Sequence, residues 1–389
     1  MAKTNPPDFF ELESLLTAEE VDLRDRVRRF VEQEVMTLIV EHFDQGTFPM
    51  EMIRKMAELD LFGVHVEGYG CRKAGHTAYG LVCRELGRCD SGLRAMFSVQ
   101  NSLVMYPIYA FGSEEQRRTW LPGLHEGQVI GCFGLSEPGF GSNPAGLTTR
   151  ADRKGEGYVL NGTKMWITNG PIARFALIWA RTTEGIRCFI VEAGTPGFRA
   201  TAIQHKFAYR TSPTALLELK DCEVGPEVML PKALGLKAAL ECLNYARYGV
   251  SCSAVGSAMA CYEAARDFAL KREVFDRPIA SYQLVQERLS RMLLEITGSQ
   301  LMNYHVGRLM DQGRVRHPQI SMAKMRSVRG AMETARLARD MLGGRGILAD
   351  HHVMRHLCDL EALSTLEGTD SIHTLVLGRD ITGISAFGS

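Results

Sequence analysis

Arg94 and Ser98 stand one helical turn apart, so on a helix they share a face where a guanidinium fork and a hydroxyl could grip an anion. A helix-surface salt bridge is the plainer reading of Arg94. His352 and His356 have the four-residue spacing of two zinc ligands on one helix. Val353 follows the first of them, however, where the helical metalloprotease pattern needs glutamate, so packing or surface histidines are expected and no metal site. Gly343-Gly344-Arg345-Gly346 could cradle a phosphate, but it follows a helical stretch instead of a strand. A helix C-cap and turn accounts for it. None of the 10 cysteines forms a C-x-x-C pair, so they read as buried, reduced, small apolar residues.

The elements that must position such residues change character twice. Thr17 and Glu20 make a capping box, and Val21, Leu23, Val27, Phe30 and Val31 follow on one helical face. Helical stretches are also expected over Met50–Leu61, Ala78–Arg88 and Leu93–Phe111, and Ser113 with Gln116 makes a second capping box. From Gly131 to Pro231 short apolar runs alternate with turn signals, which predicts an antiparallel β domain. Asn161-Gly162, between two strand-like runs, predicts a hairpin turn. Helical periodicity then returns in Leu240–Leu270, Gln283–Met310 and Ile320–Met341, with a shorter stretch near Ser371–Gly378; their length predicts a bundle. The fold class is α+β: an N-terminal helical domain (1–130), a middle β domain (131–233) and a C-terminal four-helix-bundle domain (234–389).

The 389 residues exceed one ordinary domain and suggest roughly two to three. With 45 basic and 45 acidic residues no net field draws the chain to nucleic acid or an anionic membrane. No apolar run approaches the roughly 18 residues of a membrane span, and the first residues lack the pattern of a secretory or transit peptide. A soluble cytoplasmic protein is expected.

Four segments say more together than singly. They are Phe133-Gly134-Leu135-Ser136-Glu137-Pro138-Gly139-Phe140-Gly141-Ser142, Lys164-Met165-Trp166-Ile167-Thr168-Asn169, Arg272-Glu273-Val274-Phe275-Asp276 leading to Tyr282-Gln283-Leu284, and Leu366-Glu367-Gly368-Thr369-Asp370. In this order, on a helix–strand–helix plan, the set resembles the acyl-CoA dehydrogenase family over nearly the whole chain. The runs Asp90-Ser91-Gly92-Leu93-Arg94, Ser98-Val99-Gln100 and Arg247-Tyr248-Gly249 make it most similar to the glutaryl-CoA dehydrogenase branch.

The resemblance implies removal of an acyl-thioester α-proton and passage of the β-hydrogen as hydride to FAD. Glu367 takes the position of the base, with burial expected to raise its pKa. Phe133, Leu135 and Ser136 would lie beside the isoalloxazine, with Trp166 and Thr168 on its other side; Phe133 and Trp166 could equally be β-domain core. Arg272, Phe275 and Gln283 would reach the FAD of a neighbouring subunit, with Gly343 and Gly344 near its pyrophosphate and Thr369 near its adenosine half. Sharing of this kind implies an obligate oligomer, expected as a homotetramer (a dimer of dimers), and the dehydrogenase reading implies an electron-transfer flavoprotein as acceptor. Ser142 and Arg247 would meet substrate, and Arg94 with Ser98 would grip a distal carboxylate.

Two departures bear on the outcome. Decarboxylating members carry glutamate where this chain has Gly87 and tyrosine where it has Leu366. Gly87 is expected to enlarge the distal pocket and Leu366 to make it less polar, while Asn143 replaces an aspartate with no evident effect. Open readings are oxidation of glutaryl-CoA with or without decarboxylation, and a bulkier dicarboxylic acyl-CoA of the benzylsuccinyl type. A carrier-protein-bound acyl group, an oxygen-using oxidase, a non-oxidative flavoenzyme and a catalytically silent acyl-CoA binder are also open.

Overall fold

Helix-start chemistry fixes the first segment in the computed structural model, which describes residues 8–387. Thr17 Oγ1 accepts from the Glu20 N–H, and the Glu20 carboxylate accepts from the Thr17 N–H at 2.9 Å, opening α1 (Ala18–Phe30). There follow α2 (Ile39–Gln45), α3 (Glu51–Glu58), α4 (His76–Cys89), α5 (Ser91–Ser98), α6 (Tyr106–Phe111) and α7 (Glu114–His125), the last opened by the Ser113–Gln116 box. A π-helical stretch, Val99–Met105, joins α5 to α6, so the helix expected over Leu93–Phe111 is one continuous rod capped at Gly112. Two buried amides in that stretch pin it to its surroundings. Asn101 Oδ1 accepts from the Gly63 and Val64 N–H groups, and Gln100 bridges the Leu124 and Val129 carbonyls to the Gly131 N–H.

The sheet contains β1 (Gly131–Gly134), β2 (Arg150–Lys154), β3 (Gly157–Thr168), β4 (Phe175–Thr182), β5 (Gly185–Glu192), β6 (Phe198–Ala202) and β7 (Thr214–Val224). Its order is β1-β4-β2-β3-β7-β6, with β5 on β4. Two expectations are corrected. The sheet is mixed, because β4 runs parallel to both β1 and β2. Asn161-Gly162 is no hairpin turn either: β3 continues through it, and the chain reverses at Gly155-Glu156 instead. The register slips between Leu160 and Gly162, a bulge, and glycine serves there because a Cβ would strike Thr149. A second slip, between Lys164 and Ile167, leaves Trp166 at φ 64° and 61% exposed.

Between these slips Lys164 points inward to Glu137 at 2.9 Å, both side chains almost wholly buried. Thr148 and Thr149 each give Glu137 a backbone N–H and a hydroxyl. Burial pushes the Glu137 carboxyl up, but the bonds from Thr149, Lys164 and Thr148 outweigh it and hold the group down at about 2. The loop from Ser136 to Thr149 is thereby fixed to β3.

The remaining chain is α8 (Gly235–Lys271), a hairpin of β8 (Glu273–Val274) and β9 (Arg277–Pro278), α9 (Gln283–Asp311), α10 (His317–Met341), α11 (Val353–Thr365) and α12 (Asp370–Thr382). Both α8 and α10 pack against α9 and α11, and α12 lies along α10. No described helix is long and apolar enough to cross a membrane. From the N-terminal segment α4 also lies along α8, at a glycine-lined crossing that includes Gly80, Gly87, Gly249 and Gly256. A Cβ on Gly87 would sit 2.7 Å from the Ser253 carbonyl oxygen and 2.8 Å from its Cα. Backbone atoms cannot rotate aside, so Gly87→Ala is expected to lower stability by about 1–2 kcal/mol, overpacking outweighing the helix-propensity gain. Urea denaturation midpoints of the two proteins measure this.

Candidate active site

Helix α11 ends at Thr365, and the chain reverses into α12 through two left-handed residues, Glu367 (φ 55°) and Gly368 (φ 96°). Gly368 is bare because a Cβ would lie 2.9 Å from the His373 ring. Glu367, by contrast, is a side chain in strained backbone, held there from two helices. Arg247 of α8 donates Nε–H to the Glu367 carbonyl at 2.9 Å, and Lys324 of α10 donates to the Gly368 carbonyl at 2.8 Å. Thr369 then caps α12 by accepting from the Ile372 N–H. All this fixes backbone and leaves the carboxylate free: Glu367 Oε2 is buried without a hydrogen-bond partner. Burial raises the Glu367 pKa above the ordinary carboxylate value, opposed by the charges of Arg247, Arg94 and Lys324. Lys324, in turn, is pushed down to about 7, by burial first and then by Arg247.

Arg94 comes from α5, whose N-cap Asp90 accepts from the Gly92 and Leu93 N–H groups and from Thr211 of the β6–β7 loop at 2.5 Å. The same carboxylate is paired with buried Arg355 of α11 at 3.2 Å. Arg94 itself is 2% exposed and forms no ion pair among the described residues. Its Nη2 donates to the Tyr209 hydroxyl at 2.6 Å, and its Nε has no partner. Ser98, one turn on, is 2.8 Å from the Tyr79 hydroxyl, which also accepts from Ser102.

Glu367, Arg94 and Arg247 are thus brought together. Leu366 is half-buried and packs on the apolar core of the bundle. Gly87 requires a correction: it opens no pocket, because α8 fills the space, with Ser253 against its Cα and Ser257 donating to its carbonyl at 3.1 Å. Ser142 is exposed on the loop after β1. Phe133 and Leu135 turn their side chains into the core, Phe133 against Trp179 with ring centroids 5.8 Å apart, so only their backbone could meet a ligand. Ser136 and Thr168 are half-buried, and Trp166 is open. Arg272 at the end of α8, Phe275 in the β8–β9 turn and Gln283 at the start of α9 are exposed, and Gly343 and Gly344 are exposed after α10. No hydrogen bond or ion pair among the described residues joins these five to Glu367.

Lys324, Tyr209, Tyr79 and His373 were not singled out from the sequence. Lys324 had a readable signal, a charge inside the apolar stripe of Ile320, Ala323, Val328 and Ala331. Tyr209 had none. His352, in left-handed backbone at the N-cap of α11, accepts from the His356 N–H at 3.1 Å through its carbonyl, while its ring meets Arg355 at 2.8 Å.

Three family models match in sequence: the N-terminal (17–128), middle (132–222) and C-terminal (234–382) domains of acyl-CoA dehydrogenase. Glutaryl-CoA dehydrogenase from Mycobacterium smegmatis superposes with TM-score 0.97 at 45% identity, over 99% of this chain and 100% of that one. A second structure of a glutaryl-CoA dehydrogenase from that organism, solved in complex with FADH2, gives 0.97 at 44% over 98% and 99%. The mitochondrial short-chain specific acyl-CoA dehydrogenase of Rattus norvegicus is 32% identical over 362 residues, 91% of this chain and 88% of its own. A carboxylate turned inward on strained backbone, on a frame matched in all three of its parts, places this chain in the acyl-CoA dehydrogenase family.

Proposed function

We propose that the chain oxidises acyl thioesters that carry a distal carboxylate, with glutaryl-CoA the simplest. The observation that carries this is Arg94, a buried guanidinium with a free Nε and no carboxylate of the protein's own. A buried guanidinium with no carboxylate bonded to it is costly, and Glu367, the one carboxylate whose charge reaches it, is shared with Arg247 and Lys324, so a substrate carboxylate supplies a partner of its own. Charge balance around the site agrees, since Arg94, Arg247 and Lys324 surround a single carboxylate, Glu367. The closed packing at Gly87 removes the reason for preferring a bulkier acyl group.

FAD is the cofactor, and when bound it supplies the acceptor for the β-hydrogen, taken as hydride. The residues present fit a flavin: Trp166 offers an exposed indole with no aromatic partner among the described residues, flanked by Thr168 and the Ser136 loop. Exposed Arg272, Phe275, Gln283, Gly343 and Gly344 suit contact with the cofactor of a second copy, as in a dimer of dimers, with an electron-transfer flavoprotein taking the electrons onward. Ser142 and Arg247 lie on the substrate side, and Thr369 on the adenosine side.

Glu367 takes the α-proton through its unpaired carboxylate. Its own N–H meets no acceptor among the described residues, so it is free to donate to the thioester oxygen as enolate charge develops. Arg247 and Lys324 hold that N–H in place through the carbonyls they bind.

Glu367→Gln should lower kcat by about 10²–10⁴-fold, measured with an artificial electron acceptor. Because the base must be ionised, kcat/KM should fall as pH drops through a value above the ordinary carboxylate pKa of about 4.3, and a pH profile reads that limb directly. Arg94→Ala should cost about 10²- to 10³-fold in kcat/KM for glutaryl-CoA while largely sparing butyryl-CoA; equal losses would remove the dicarboxylate reading. Neither Gly87 nor Leu366 offers a polar hydrogen for a second step, so mass spectrometry of the product should show loss of two hydrogens and retention of carbon dioxide.

A further inference from the structure

Tyr209 lies in the β6–β7 loop, 7% exposed, with its backbone at φ 53°. A bulky residue in the left-handed region is strained and persists only where its surroundings over-determine it. Here three bonds do so. The Tyr209 N–H donates to Asp359 Oδ1 of α11 at 2.6 Å, and its carbonyl accepts from Lys206 Nζ at 2.8 Å and from the Ser212 N–H at 3.0 Å. None of these involves the phenol. Their combined effect is to aim it at Arg94, whose Nη2 donates to the hydroxyl at 2.6 Å.

An oxygen that accepts from a guanidinium turns its own hydrogen elsewhere, and the polarisation makes that hydrogen a better donor. Among the described residues the Tyr209 hydroxyl donates to nothing, Arg94 Nη1 forms no bond, and Arg94 Nε is buried and unpaired. The guanidinium and the phenol together therefore present unfilled donors side by side and no acceptor, which is the complement of a two-oxygen anion.

Resting on the reading that Arg94 meets a distal carboxylate, we propose that Tyr209 is a specificity-determining residue that donates its hydroxyl to that same carboxylate. It is supplied by the sheet segment to complete a clamp begun by the helical segment. A monocarboxylic acyl chain would leave the phenol hydrogen and the Arg94 Nε–H without an acceptor, so the clamp rejects such chains as well as gripping dicarboxylic ones.

The test compares flavin-loaded wild type with Tyr209→Phe in steady state, using glutaryl-CoA and butyryl-CoA with an artificial acceptor. Wild type should favour glutaryl-CoA. The variant should lose about ten- to hundredfold in kcat/KM for glutaryl-CoA, mainly through KM, and change butyryl-CoA by less than about threefold. Equal losses for both thioesters would mean that Tyr209 only supports the fold, and an unchanged glutaryl-CoA value would mean that the hydroxyl does not reach substrate; either overturns the proposal while leaving the dicarboxylate reading intact. A wild type that prefers butyryl-CoA would overturn both. If the phenylalanine variant does not load flavin, Tyr209→Leu, which keeps apolar bulk without the hydroxyl, is read by the same ratio.

Discussion

A carboxylate held in a dry site beside three cations is the constraint on which the rest of the molecule depends. Burial alone would keep Glu367 protonated, and contact with a cation alone would keep it ionised and inert. The structure takes a middle course by committing Arg247 and Lys324 to main-chain carbonyls next to the carboxylate while leaving its Oε2 unpaired. Their charge is felt, but their hydrogen bonds are spent on geometry. The cations come from α5, α8 and α10, so three separated stretches of sequence must arrive together before the site exists.

Two sets of buried ionic contacts make that arrival reproducible. Asp90 ties the start of α5 both to Thr211 in the sheet segment and to Arg355 in α11, and so links all three parts of the chain through one carboxylate. Glu137, with Lys164 and two threonines, fixes the loop after β1 onto the strand that displays Trp166. Buried pairs of this sort contribute little net stability compared with apolar packing, yet breaking one strands a charge, so they select one arrangement against near alternatives.

Much of this was legible in the sequence because the relevant signals are local. Both capping boxes form as their spacing requires, and Gly112 ends the long rod. Family motifs led to Glu367, Arg94 and Arg247. Misreadings arose where local chemistry has two uses. Asn-Gly serves a bulge as well as a turn, and strand direction depends on a crossover that no window of residues reveals. At Gly87 the missing side chain suggests added space but instead admits a neighbouring helix, which depends on Ser253, 166 positions away in the chain. Tyr209 is the same problem reversed. It is an unremarkable loop tyrosine until the fold sets it against Arg94.

The β8–β9 hairpin carries a consequence of a different kind. Phe275 and Asp276 both lie in left-handed backbone at its tip, which leaves the Phe275 ring 87% exposed. The turn is braced from within the chain, by the Tyr282 hydroxyl on the Val274 carbonyl at 2.8 Å and by Arg277 over the Tyr282 ring at 4.1 Å. Whatever surface receives the ring therefore meets a tip already in shape, and little ordering entropy is lost on contact. In a chain standing alone the same ring is an adhesive aromatic held out in water on a firm tip, which makes it a point where unrelated apolar surfaces can stick.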